Sequence, residues 1–358
     1  MLLFSKKGKK FPDYAFNDFQ SNMSMQKVFF EKKGAVIKCT ACRHYCIIPE
    51  GKFGICGVRK NVSGKIELIT YSRPSGIHLD PIEKKPLYHY LPGSKTMSIG
   101  FFGCNFKCEF CQNYSISTSK GEMLEKNIRG FSEVNPKDFI KTAEDSGAGS
   151  IAFTYNEPTI SIEYALDTFD LLDKEKKKLG RVFVSNGYSS EETIKALKGR
   201  LDAVNIDLKS FSDEFYKKIV GGKLENVLKA IKSYYKAGIW VELTTLVIPN
   251  ENDSKEELEE LAGFIASVDK KIPLHIIGFF PMYKMAGHEP AGREQVERAV
   301  EAGKNAGLKY VYSRLPGGEN TYCSKCGEPV IKRSFYGTVE VLLKNGRCEC
   351  GEKISGIF

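Results

Sequence analysis

No stretch of this chain approaches the roughly 18 consecutive apolar residues that a membrane-spanning helix requires. The apolar part of Met1–Lys10 is too short for a signal peptide. There is no low-complexity tract, and no long-period internal repeat of the kind that marks a solenoid. A stray cysteine is also missing: the eleven present fall into three groups. Without an export signal such groups are poor disulfide frameworks, and in a reducing compartment clustered cysteines serve as metal ligands. The expectation is a cytoplasmic protein with no membrane partner.

What is present suffices for one large globular domain plus small appendages, since 42% of the 358 residues are hydrophobic and 27% charged. The formal net charge of +9 is spread through amphipathic helices and the N-terminal Lys6, Lys7, Lys9 and Lys10. That reads as a solubilising excess, and a nucleic-acid partner is disfavoured.

Three regions are expected. Residues 1–92 form a loop-rich, Cys-rich module that ends in the passage Asp80-Pro-Ile-Glu-Lys-Lys-Pro-Leu-Tyr-His-Tyr90. Residues 93–316 alternate short β-rich runs with helical segments, the pattern of βα units around a parallel sheet. Strands are expected at Thr96–Phe101, Ser150–Thr154, Arg181–Ser185, Ala203–Asp207, Trp240–Val247 and His275–Phe279. Helix caps are expected at Asn135, at Ser189 with Glu192, and at Ser254 with Glu257; helices starting near Ser161 and Leu224 should end at Gly180 and Gly238. Six such units make a partial (βα)6 barrel, whose chemistry gathers at the C-terminal ends of its strands. Residues 317–358 carry the last cysteine group and no βα unit.

Directly after the first barrel strand comes Gly103-Cys-Asn-Phe-Lys-Cys-Glu-Phe-Cys-Gln-Asn113, with spacing C-x3-C-x2-C. A cubane iron–sulfur cluster usually takes four thiolates, so three leave one iron open. An open iron can chelate the amino and carboxylate groups of S-adenosylmethionine (SAM). Electron transfer then breaks a carbon–sulfur bond and releases a 5′-deoxyadenosyl radical. Zinc, which normally closes with four ligands, suits the loop poorly. The loop, with Phe110 before its last cysteine, resembles the hallmark of the radical SAM superfamily.

That resemblance implies further site residues at the strand ends. Thr154-Tyr-Asn-Glu-Pro158 stands where the superfamily has a Gly-Gly-Glu-Pro-like segment contacting the SAM amino group, with Tyr155 and Asn156 in place of the glycines. Ser185-Asn186-Gly-Tyr resembles the segment that meets the ribose and carboxylate region. Asp207-Leu-Lys209 is similar to a segment of glycyl-radical activases such as pyruvate formate-lyase activating enzyme, and Val247-Ile248-Pro-Asn stands where backbone groups flank the adenine. The alternative roles are a rim ion pair for Asp207 and Lys209 and a helix cap for Glu157. Across nearly the whole chain, Cys39-x2-Cys-x3-Cys46, Gly54-Ile-Cys-Gly-Val-Arg59, Asp80 to His89, Thr154 to Pro158, Phe279 to Met285 and Glu319 to Cys323 resemble the AmmeMemoRadiSam-system radical SAM enzymes. The family implies an oxygen-sensitive enzyme served by a reductant such as ferredoxin or flavodoxin, and leaves the substrate, a protein or a small molecule, open.

The flanking cysteines read as structural metal sites. Cys323-x2-Cys326 and Cys348-x-Cys350, each followed by glycine, make a zinc-ribbon-like set whose second knuckle is one residue short. For Cys39, Cys42, Cys46 and Cys56 the spacing admits zinc or an auxiliary iron–sulfur cluster; the continuation Gly57-Val-Arg59 tips the reading slightly toward zinc, with His44 a neighbour rather than a ligand. Lys84, Lys85, Tyr88 and His89 either line the site or pack as a linker. The competing class of function is a non-catalytic metal-binding scaffold for nucleic acid, to which Lys332, Arg333, Phe335 and Tyr336 would contribute.

Overall fold

The structure, a computed structural model, describes residues 29–334 and 337–358. Met1–Lys10 with its four lysines, and Phe335 and Tyr336, lie outside the described residues. The β-rich runs assemble into one sheet of eight strands: β1 (Gly76–Pro81), β2 (Lys95–Gly100), β3 (Ser150–Phe153), β4 (Gly180–Ser185), β5 (Ala203–Asp207), β6 (Trp240–Val247), β7 (Leu274–Gly278) and β8 (Val311–Tyr312). They stand in chain order, with β1 antiparallel to β2 and every other neighbouring pair parallel. The six expected strands are β2 to β7, each within one residue of its expected ends. The two edge strands are additions to the expected (βα)6 pattern. β8 is two residues long, and β1, Gly-Ile-His-Leu-Asp-Pro, is partly exposed along its length, so neither offers the apolar run of a central strand.

Helices α1 (Pro136–Asp145), α2 (Ile162–Lys174), α3 (Glu191–Leu197), α4 (Leu224–Lys236), α5 (Lys255–Val268) and α6 (Arg293–Asn305) connect the strands. Asn135 and Ser254 cap α1 and α5 as expected, each accepting from a backbone N–H three residues on. The cap of α3 is Ser190 rather than Ser189, because the Ser189 hydroxyl is buried between Thr159 Oγ1 at 2.6 Å and Tyr234 Oη at 2.8 Å. Helix α2 stops at Lys174, short of Gly180. Gly180 instead opens β4, where a Cβ would run into the Tyr90 hydroxyl. Among the described residues no helix is long and apolar enough to cross a membrane.

Alternation along the strands separates two apolar layers. Ile99, Ile151, Phe153, Phe183, Val204 and Leu243 face the helices in the main core. On the opposite, concave face Ala152, Val182 and Ala203 form one row and pack against Ile82, Leu87 and Tyr90. The segment after β1 therefore crosses the barrel and closes its lower end. Residues 76–91 thus belong to the barrel, which moves the expected boundary at residue 92 back to before β1.

The same segment carries the C-terminal module, a three-stranded antiparallel sheet (Thr321–Tyr322, Pro329–Ser334, Gly337–Val341). Glu242 on β6 is fully buried and accepts from the backbone N–H groups of Tyr88 and His89 at 2.9 and 2.8 Å, from Trp240 Nε1 at 3.0 Å and from His275 Nε2 at 2.7 Å. Arg333 is buried over the Tyr88 ring and donates to Tyr88 O at 2.6 Å. The Arg333 guanidinium is thus internal rather than presented to a nucleic acid, and Lys332 pairs with Glu340. His89 is wedged between Ser355 O at 2.6 Å and Tyr312 Oη at 2.5 Å, as a neutral imidazole with Nδ1–H donating would be. Tyr88 and His89 are packing residues of this seam. Lys85 lies buried against Asp80 at 2.9 Å, while Lys84 is more exposed.

Burial holds the His89 pKa down to about 4 from an ordinary value of 6.5. Between those values the unfolded chain binds a proton that the folded chain refuses, so stability falls as pH drops through that window, at about 1.4 kcal/mol per pH unit. Denaturant titrations of wild type and His89→Gln at pH 7.5, 6, 5 and 4.5 should show this slope in wild type and its loss in the variant; parallel curves would place His89 outside the acid response.

Candidate functional site

The cysteine loop leaves the top of β2 and is fixed by backbone bonds to two other elements. Gly103 N donates to Ile116 O at 2.9 Å, and Lys107 N and Glu109 N donate to Val220 O and Ile219 O at 2.9 and 3.2 Å. Cys104, Cys108 and Cys111 are partly exposed, and none of them is in a disulfide. Burial pushes the Cys108 thiol up to about 11, opposed by Lys209, and pushes Cys104 up further. Cys104 and Cys108 are thus held toward the protonated thiol, and a metal bound there would displace their protons.

Around the loop stand the strand-end residues. Asn156 Nδ2, just past β3, donates to Phe101 O at 2.7 Å and Gly103 O at 2.9 Å, tying the loop's entry to the neighbouring strand end. Asn186, past β4, donates to Asn105 Oδ1 at 2.7 Å and sits 4.0 Å from Cys104 Sγ. Asp207, the last residue of β5, and Lys209 pair at 2.8 Å, with the Lys209 ammonium 5.7 Å from the centre of the buried Phe110 ring. Burial pulls Lys209 down, but Asp207 and the adjacent Cys108 outweigh it and the net direction is up, so Lys209 stays charged beside the loop.

Glu157 has a different place from a ligand-facing carboxylate. It is buried, with Oε1 accepting from Thr159 N at 2.9 Å and Ser185 Oγ at 3.0 Å, and Oε2 accepting from Asn186 N at 2.7 Å. It caps the short helical turn Pro158–Ser161 and joins the ends of β3 and β4. Ser185 is equally committed, donating to Glu157 and accepting from Gly187 N at 3.0 Å. Ile248 is fully buried with its N–H bonded to Asn252 Oδ1 at 2.7 Å, so it offers no free backbone donor.

Two buried polar atoms here have no partner, the acceptor Asn156 Oδ1 and the donor Asn105 Nδ2. Buried polar atoms are rarely left unpaired. One free acceptor and one free donor beside three thiolates suit a ligand that carries an ammonium and a carboxylate, so the donor set fits a three-thiolate cluster with SAM on its open iron. Asn105 and Asn113 escaped the sequence reading. Asn113 Nδ2 bonds Tyr155 O and holds that residue in a left-handed backbone (φ 72°), a conformation costing a bulky L-residue on the order of 1 kcal/mol. The available signal was the recurrence of asparagine beside the cysteines and strand ends.

The C-terminal cysteines form a second, closed set. Cys323 and Cys350 Sγ are 3.6 Å apart, as are Cys326 and Cys348, and all four sulfurs lie within 4.8 Å of one another. Four thiolates at this spacing can hold one tetrahedral ion, and the short Cys348-Glu-Cys350 knuckle closes as well as the longer one.

Residues 98–265 match the radical SAM superfamily. The chain is 37% identical over 337 residues to an uncharacterized protein of Methanocaldococcus jannaschii, covering 92% of this chain and 98% of that one. It is 27% identical over 202 residues to the pyruvate formate-lyase-activating enzyme of Clostridium pasteurianum, covering 52% of this chain and 78% of that one. Among solved structures it is similar to a radical SAM methyltransferase from Sphaerobacter thermophilus, with TM-score 0.48, 14% identity and coverage of 63% and 67%.

Replacing Glu157 by alanine leaves the buried donors Thr159 N, Ser185 Oγ and Asn186 N without their acceptor. At about 1–3 kcal/mol for each orphaned group, the apo-protein should lose about 3 kcal/mol or more in denaturant unfolding. A loss confined to SAM affinity, with unchanged unfolding, would return Glu157 to a ligand-contacting role.

Proposed function

The chain belongs to the radical SAM superfamily, and we propose that its three loop thiolates hold a [4Fe–4S] cluster whose open iron binds SAM at the mouth of the barrel, for hydrogen abstraction from a protein or small-molecule substrate. The observation that carries this is the unpartnered Asn156 Oδ1 beside a loop that offers three cysteines and no fourth. When bound and reduced, the cluster supplies the electron that cleaves SAM and yields the hydrogen-abstracting 5′-deoxyadenosyl group. Asn156 would accept from the SAM amino group, while Asn186, whose amide donates to Asn105 and accepts from Tyr188 N, would hold Asn105 and the loop in place beside the carboxylate and ribose region. Phe110 and Lys209 wall the loop on its β5 side, with Lys209 keeping a positive charge beside the cluster. A low-potential protein reductant such as ferredoxin or flavodoxin would serve it.

Two finer assignments go with this reading. The motifs shared with AmmeMemoRadiSam-system enzymes support placing the chain among them; glycyl-radical activation, suggested by Asp207-Leu-Lys209, is the alternative within the hydrogen-abstraction reading. The closed set Cys323, Cys326, Cys348 and Cys350 is assigned to structural zinc, which staples a module with a small core of its own.

Anaerobically reconstituted protein given SAM and dithionite should release 5′-deoxyadenosine, and Cys108→Ala should release none; turnover by that variant would overturn the cluster assignment. Asn156→Ala should keep its iron while losing about 1–3 kcal/mol of SAM affinity, the range for a hydrogen bond to a charged group. Equal dissociation constants for wild type and variant would remove Asn156 from the SAM site. Cys326→Ala should lower zinc by one ion per chain and expose residues 319–358 to protease, whereas unchanged zinc content would count against the ribbon site.

A further inference from the structure

Cys39, Cys42, Cys46 and Cys56 take no part in the site described above, yet they are built to the same standard. Cys39, Cys42 and Cys56 are buried, Cys46 is partly so, and the four line one recess. Three cysteine sets in one molecule allow an internal comparison. A tetrahedral ion with metal–sulfur bonds of about 2.3 Å holds its thiolates about 3.8 Å apart, and the C-terminal set has that spacing, with sulfur pairs at 3.6 Å. Among the described residues no other set brings three candidate ligand atoms within 4.8 Å of one another. The loop cysteines of the radical SAM site and the N-terminal four are thus both more open sets than the C-terminal one. In an iron–sulfur cubane the irons and sulfides lie between the thiolates and hold them apart.

The wall of the recess points the same way. Arg59 is buried there, paired with Glu163 at 2.6 Å, and its Nε has no partner. A donor left free on that wall suits the sulfur-rich surface of a cluster better than a small ion sealed behind its own thiolates. His44 also lines the recess, but its Nε2 is bonded to Asn105 O at 2.8 Å, leaving the four cysteines as the matched donor set.

The recess adjoins the other cluster loop. Gly103 packs so closely on Cys56 O that a Cβ would come within 2.7 Å of it, and Cys104 is the next residue. His44 reaches Asn105 on the other side of Cys104.

We propose that Cys39, Cys42, Cys46 and Cys56 hold a second [4Fe–4S] cluster, ligated at all four irons, that passes single electrons to the cluster on Cys104, Cys108 and Cys111. The destination rests on the proposed function; the identity of the second cluster does not. Each transfer is one electron from an external low-potential donor, taking the second cluster from its 2+ to its 1+ state. It returns to 2+ as the loop cluster is reduced, and no atom or proton changes place.

The test is iron and sulfide per chain after anaerobic reconstitution with ferrous iron and sulfide. Full-length wild type is compared with the variant Cys104→Ala, Cys108→Ala, Cys111→Ala. Wild type should hold about eight irons and eight sulfides, and the triple variant about four of each. Titanium(III) citrate should then reduce the remaining cluster by one electron, with an S = 1/2 signal. Iron absent from the triple variant, with two zinc ions per chain in its place, would overturn the inference and leave the radical SAM site standing. Equal iron in wild type and triple variant would overturn the loop assignment instead. Should the triple variant fail to fold, by circular dichroism, Cys42→Ala with Cys46→Ala serves in its place. That pair should halve the iron while Cys104, Cys108 and Cys111 remain, and undiminished iron would overturn the inference.

Discussion

One buried carboxylate sets the geometry of the barrel mouth. Glu157 takes hydrogen bonds from the turn that follows β3 and from the residues that end β4, so two neighbouring strand ends are held at a fixed separation. Asn186 owes its orientation to that clamp, and through Asn105 the clamp reaches the residue after Cys104. Burial raises the Glu157 pKa while its hydrogen bonds lower it, and the net direction is up. The carboxylate is thus a costly group to place there, retained because three donors need it.

How much of this was legible follows from what each residue type reveals by itself. The strands β2 to β7 carry apolar runs whose burial is forced by composition, so they could be read to within a residue. The edges could not, since β1 owes its pairing to β2 and not to its own sequence. Cys104, Cys108 and Cys111 were legible because spaced cysteines have few other uses in a reducing compartment. Glu157 was visible as a motif, but whether a carboxylate faces a ligand or three protein donors depends on tertiary burial, which spacing does not encode. Ser189 and Ser190 make the same point at a smaller scale: both are plausible caps, and only the proximity of Thr159 and Tyr234 decides between them.

Gly180 shows how a correct observation can carry the wrong cause. A glycine after a helical run suggested a terminator, yet the helix stops earlier and the glycine answers to Tyr90, about ninety residues upstream. The tyrosine belongs to the segment that also receives Glu242 and the C-terminal module. One polar clamp beneath the sheet therefore ties three remote parts of the chain together.

That segment also sets how deep the barrel is. With Ile82, Leu87 and Tyr90 packed against Ala152, Val182 and Ala203, the lower part of the concave face is filled by protein. Whatever enters the barrel mouth therefore comes to rest on a floor made by the chain itself, and its depth is set by the side chains of Ile82, Leu87 and Tyr90.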